Sequence, residues 1–172
     1  PRMAYVSMNN GRIMRFDYVT GELKAIRPVE SERGGGPGEG APAGGGRGGG
    51  AARPGGLSAV RFNWTAPIVI SPHNQQIVYL AGNRLWRTLD GGERWTAISP
   101  DLTKQIDREK LPIMGVTGEI LSKNDGVSAY GTITAFAQSP AQPGLLLAGT
   151  DDGNVQLSKD DGAGWANLAT NF

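Results

Sequence analysis

Apolar residues in this chain come in short bursts separated by turn-forming residues. MAYVSM (3–8), GRIMRFD (11–17), APIVIS (66–71), IVYLAG (77–82) and RLWRTL (84–89) precede the middle of the chain. TITAFAQS (132–139), LLLAGT (145–150) and NVQLSK (154–159) follow it. Each burst is rich in β-branched, aromatic or other apolar residues and is bounded by Gly, Asn, Asp or Pro, the signature of short strands joined by tight turns. One helix is suggested, over TKQIDREKL (103–111), with Thr103 as N-cap and Pro112 as stop. The pattern predicts an all-β fold.

The bursts repeat. SPHNQQIVYLAGNRLWRTLDGGERW starts at Ser71 and SPAQPGLLLAGTDDGNVQLSKDDGAGW at Ser139. Each runs Ser-Pro, turn, apolar strand ending in Ala-Gly, turn, strand, and then an eight-residue motif. That motif is TLDGGERW at 88–95 and SKDDGAGW at 158–165. A degenerate third copy, AYVSMNNGRIMRFDYVTGE (4–22), aligns Gly11 with Gly153. It carries Asp17 and Gly21 but neither the hydroxyl nor the Trp of the motif. Recurrence of this kind predicts stacked supersecondary units.

The motif has a physical reading. An Asp in a tight turn accepts backbone N–H groups that would otherwise lack partners, and a Ser or Thr two residues earlier joins that network. Gly supplies a backbone conformation that strains other residues. Trp opens the next strand and buries its ring. Thr88, Asp90, Gly92 and Trp95, and likewise Ser158, Asp160, Gly162 and Trp165, are therefore expected to clip hairpins, with their carboxylates used structurally.

The pattern Ser/Thr-x-Asp-x-Gly-x-x-Trp also resembles the Asp-box, the bacterial neuraminidase repeat found in sialidases, xyloglucanases and the sortilin family, all β-propellers. RFNWTAPIVISPHN, YLAGNRLWRTLDGGERWTAISPDLT and NDGVSAYGTITAFAQSP, with GTDDGNVQLSKDDGAGW after it, resemble the large bacterial sortilin-type propeller proteins often labelled glycosyl-hydrolase-like. The likeness spans nearly the whole chain outside the Gly-rich stretch. It implies propeller blades and an exported, secreted or periplasmic protein. On this reading, 1–33 is a degenerate blade, 57–101 and 132–172 are blades carrying the motif, and 102–131 is a long loop insertion. A propeller closes with about four to eight blades. Three repeats thus imply a piece of a parent propeller, completed by the rest of that parent or by neighbouring chains. The alternative is a small self-contained β-sandwich or sheet.

Composition narrows the chemistry. Thirteen of the 27 glycines fall in residues 34–56, which cannot bury enough apolar surface to offset their ordering entropy and read as a loop or linker. Arg33 and Arg47 abut glycine runs there, but the stretch lacks aromatics for base stacking. With 17 Lys plus Arg against 16 Asp plus Glu, charge does not point to nucleic acid. The chain has no Cys, which excludes a disulfide framework and a thiol nucleophile. His73 is the only His and is read as a turn residue; no metal site and no cofactor are suggested. TDDGN (150–154) reads as a β-turn, lacking the acidic spacing of a calcium loop. No apolar run approaches a membrane span. A chain opening on Pro1 without a signal peptide reads as a mature product or a fragment.

Two functions remain. A glycoside hydrolase needs two converging carboxyl groups. Outside the clips the candidates are Asp101, Asp107, Glu109, Glu119 and Asp125, with Asp101 and Asp125 foremost, but no arginine cluster or nucleophilic Tyr can be assigned beside them. A binding module instead uses loops on a propeller face to hold a peptide or carbohydrate. Trp64 and Tyr130 are the aromatic candidates for such contacts, although both also suit packing between blades. The acids committed to clips favour the non-catalytic binding reading.

Overall fold

A computed structural model describes residues 2–28, 60–112 and 129–169. The Gly-rich stretch 34–56, Glu119 and Asp125 lie outside the described residues. Among the described residues the fold is all-β, with three antiparallel sheets that follow one another along the chain and almost no helix.

The first sheet comprises β1 (Met3–Met8), β2 (Arg12–Asp17) and β3 (Leu23–Ala25) in sequence order. The second comprises β4 (Ile68–Ile70), β5 (Val78–Ala81), β6 (Leu85–Thr88) and β7 (Thr96–Ala97). The third comprises β8 (Ile133–Gln138), β9 (Leu146–Thr150), β10 (Val155–Ser158) and β11 (Ala166–Asn167). Each apolar burst of the sequence is a strand, trimmed at its ends. The short strands β3, β7 and β11, at two or three residues, carry too little pattern to be read in advance.

Simple meanders place alternate connections at opposite ends. The β1–β2, β5–β6 and β9–β10 turns share one end, together with the crossovers from sheet to sheet. The motif hairpins share the other. Phe62, in the first crossover, ties two turns of the crossover end together. A Cβ on Gly11 would lie 2.5 Å from its ring, and one on Gly82 2.9 Å.

The helix expected over 103–111 does not form; the segment holds only a 3-10 turn, Arg108–Lys110. Thr103 is engaged elsewhere: its hydroxyl donates to Asp101 and accepts from Arg61. Gln105 then enters the left-handed region at φ 55, which no helix tolerates.

Two cores fill the spaces between sheets. Ile13 and Ile26 of the first sheet and its exit, together with Phe62 and Ala66, meet Leu80 and Trp86 of the second. Tyr79, Ala81 and Leu85, with Leu102, meet Ile133, Leu146 and Ala148 of the third. The alternation along β5 explains the pairing. Leu80 points back to the preceding sheet, while Tyr79 and Ala81 point forward to the next. Burying a Leu or Ile of this kind contributes about 1.5–3 kcal/mol.

Candidate functional site

The motif end is built from the backbone outward. Thr88 closes β6 and Ser158 closes β10, both buried. The Thr88 hydroxyl donates to Asp90 Oδ1 (2.8 Å) and accepts the Gly92 N–H (2.9 Å). The Ser158 hydroxyl does the same with Asp160 (2.8 Å) and Gly162 (2.9 Å). Each carboxylate then accepts the N–H four residues on, from Arg94 (3.0 Å) and from Gly164 (2.8 Å). Burial works against the charge on Asp90, but the Arg94 N–H and the Thr88 hydroxyl outweigh it and hold the carboxyl below its ordinary range. Asp160 is lowered chiefly by the Gly164 N–H and the Ser158 hydroxyl. Gly92 and Gly162 sit at φ 98 and 95, where a side chain is strained.

The motif also joins sheets. A Cβ on Gly92 would lie 2.7 Å from Ile26 Cδ1, and one on Gly162 would lie 2.6 Å from the Ile98 carbonyl oxygen. The indole N–H of Trp95 donates to the Ile26 carbonyl (2.5 Å). That of Trp165 donates to the Gly162 carbonyl (3.1 Å) and, at longer range, to that of Ile98 (3.4 Å). Ile26 and Ile98 are the residues just past β3 and β7. Each hairpin therefore seats its Gly and Trp on the exit of the sheet before it, and both Trp rings are half-buried there. The degenerate copy is clipped differently. Asp17 accepts the N–H groups of Val19 and Thr20 and pairs with Arg2 (2.8 Å), which holds its carboxyl at about 2.

A third clip of the same form lies at the crossover end. The Thr150 hydroxyl donates to Asp152 Oδ1 (2.6 Å) and accepts the Asn154 N–H (2.9 Å). Its signal was present in the sequence, since TDDGN begins with the same Thr-x-Asp spacing as the motif. The second oxygen of Asp152 leaves the hairpin and accepts the Lys104 N–H (2.7 Å), stapling the 101–105 segment to the third sheet.

Around this staple is a buried polar network that sequence reasoning missed, apart from Asp101. Arg61 is buried and donates to Asp101 Oδ2 (2.9 Å), to the Gly131 carbonyl (3.1 Å) and to Thr103 Oγ1 (3.1 Å). Asn83 donates to the same Asp101 oxygen (2.9 Å) while its own amide oxygen accepts the Arg61 N–H (3.0 Å). Asp101 Oδ1 accepts both the hydroxyl (2.6 Å) and the N–H (3.0 Å) of Thr103. Burial pushes the Asp101 carboxyl up, but Thr103, Asn83 and the Arg61 charge bring it down below the ordinary range. Asp151 accepts the Thr132 N–H (2.8 Å) and hydroxyl (2.9 Å).

The other sequence candidates are spread over the surface. Asp107 is exposed and pairs with Lys110 (3.4 Å). Trp64 is 48% exposed on the first crossover. Tyr130 is half-buried with the Arg108 guanidinium 5.6 Å from its ring centre, a cation–π stack. Burial and the charges of Asp152 and Asp151 raise its phenol. Trp64, Asp101 and Tyr130 all belong to the crossover end. His73 is at the motif end, exposed, with Nε2 2.8 Å from the Ser139 carbonyl oxygen. There, a cleft of about 340 Å³ between the second and third sheets is lined by Ser71, His73, Ile77, Tyr79, Gln138 and Asp161, among others.

Among the described residues no group of three or more acidic or His side chains is placed to hold a metal ion, and no helix is long and apolar enough to cross a membrane. No protein-family model matches the chain, and no curated protein matches it.

Proposed function

We propose that the three sheets are successive blades of a β-propeller of the sortilin-like, neuraminidase-repeat type, and that the chain is a binding module of an exported protein. The supporting pattern is repetition in three dimensions. Antiparallel meanders follow in order, and each complete motif seats on the exit of the preceding sheet through one Gly and one Trp. The ligand is a peptide or glycan held by the crossover end, which carries the exposed Trp64 ring and the Arg108–Tyr130 stack.

One observation carries the choice of binding over hydrolysis. Among the described residues, Asp101, Asp151 and Asp152, three acids at this end, each have both carboxylate oxygens engaged by internal donors. A glycosidase acid or nucleophile must instead present a free oxygen to the sugar. Screening the whole chain against glycan and peptide panels by tryptophan fluorescence, with sialosides and β-glucans assayed for turnover, tests the proposal. Capture without turnover, lost in Trp64→Ala, is the expected result. Turnover abolished by Asp101→Asn or Asp125→Asn would establish the hydrolase reading instead.

A further inference from the structure

The β4–β5 and β8–β9 connections both open on Ser-Pro, at Ser71 and Ser139, and each is pinned by its serine. The Ser71 hydroxyl accepts the His73 N–H (3.2 Å). That of Ser139 accepts the N–H groups of Ala141 (3.3 Å) and Gln142 (3.2 Å). His73 joins the two turns. A carbonyl oxygen only accepts, so the 2.8 Å contact of Nε2 with Ser139 places the ring proton on Nε2. In the neutral ring Nδ1 is then an acceptor. The cleft of about 340 Å³ opens beside this contact, walled by the two four-stranded sheets.

A chain of polar groups crosses the cleft from sheet to sheet. Gln138 Nε2 donates to the Tyr79 hydroxyl (3.3 Å), which donates to Asp161 Oδ1 (3.4 Å). Arg87 forms an ion pair with Asp161, and the Gly144 carbonyl accepts the Asp161 N–H (2.9 Å). Tyr79 is buried, with its ring 5.3 Å from that of Phe136, so the anchor of this chain is fixed by packing. One atom is left over. Gln138 Oε1 is enclosed and has no hydrogen-bond partner. An orphan acceptor of this kind is costly, and native structures hold few of them. The terminal torsion of a glutamine is soft, so a donor in the cleft draws the oxygen out to meet it. At the rim stands Lys159, exposed and without an ion-pair partner among the described residues.

These groups define the occupant. Charge cancels, because Arg87 answers Asp161 and the Lys159 ammonium stands next to Asp160, so no net field recruits an ion. Acceptors at Gln138 and His73 and a donor at Lys159 lie around one small space. A hydroxyl both donates and accepts, so a ligand bearing several hydroxyls meets them all. Ile77 and Pro143 add apolar surface to the lining. The volume falls at the lower end of the about 300–1,000 Å³ typical of ligand pockets, which suits a single ring. We infer that the cleft binds a neutral, multiply hydroxylated ring of monosaccharide size. Its hydroxyls engage Gln138, His73 and Lys159, and its C–H face rests on Ile77 and Pro143. This site is at the opposite end from Trp64 and Tyr130, and it does not depend on the blade reading, since both of its walls belong to one chain.

Titration of the whole ¹⁵N-labelled chain with glucose, galactose and mannose, followed by amide NMR, tests the site. Glucosamine and glucuronate serve as the cationic and anionic counterparts of the same ring. The expected result is saturable movement of the His73, Gly144 and Asp161 amides by at least one neutral hexose at millimolar concentration, with weaker binding of both charged sugars. Gln138→Leu keeps the side-chain bulk and removes the amide, and should weaken binding about tenfold. Lys159→Ala, at an exposed position that the fold tolerates, should weaken it about threefold, and it keeps the test decisive if Gln138→Leu does not fold. No saturable movement with any neutral hexose overturns the inference. So does tighter binding of a charged sugar, or a hexose indifferent to both substitutions. Movement confined to the amides around Trp64 overturns it too, and would instead support the glycan site proposed at the crossover end.

Discussion

Removing the Asp101 carboxylate separates a structural from a catalytic role for it. In Asp101→Ala, the Arg61 guanidinium, only 5% exposed, keeps the Gly131 carbonyl and Thr103 but loses the Asp101 carboxylate. Asn83 and the Thr103 N–H each lose an acceptor as well. Breaking one side of a buried ion pair costs about 3–5 kcal/mol. Asp101 is itself 15% exposed, so water reaches the vacated site and the lower end, about 3 kcal/mol, applies. For a chain of this size that lowers Tm by about 6–12 °C. The assay is urea unfolding followed by tryptophan fluorescence, with Asp107→Ala as the control. The Asp107–Lys110 pair is exposed, and such a pair is worth at most about 1 kcal/mol. Arg61→Met added to Asp101→Ala should recover part of the loss, because it removes the buried charge that faced Asp101. An Asp101→Ala variant within about 0.5 kcal/mol of wild type, the scatter of ordinary surface changes, would falsify the structural assignment. A double variant no better than the single would show that the lost Arg61–Asp101 pairing is not the cause.

Gly92→Ala should cost about 2–4 kcal/mol, from left-handed strain plus the clash with Ile26, whereas Gly21→Ala, at φ 73 with nothing within 4 Å, should lose only the strain term of about 1–2 kcal/mol; comparable losses from both in urea titrations would contradict the inter-sheet seat. Asp17, depressed to about 2 by Arg2, should contribute stability that is complete above the unfolded carboxyl pKa of about 4 and is lost as pH falls through about 2. Arg2→Ala should raise the Asp17 titration midpoint followed by NMR, and an unmoved midpoint would show that the pair is not formed in solution.

The clips were legible because they are local. Thr88, Asp90, Gly92 and Arg94 find each other within a single hairpin, so their spacing in sequence is their geometry in space. The strands were legible for the same reason, since each apolar burst marks a segment that must leave water. Local pattern failed where a distant partner competed for a residue. Thr103 reads as a helix cap until Arg61, 42 positions away, and Asp101 claim its hydroxyl. The Arg61–Asp101 network joins residues 40 apart, Asp152 reaches the Lys104 N–H across 48, and Trp95 meets Ile26 across 69. Nothing in the spacing of such pairs marks them as partners. They become neighbours only once apolar burial has stacked one sheet on the next and brought their polar ends together. Sequence by itself determined that hairpins would form and which acids would be spent in closing them. Tertiary structure decided that the same hairpins lock sheet to sheet, because that role belongs to Gly and Trp atoms whose contacts lie on another sheet.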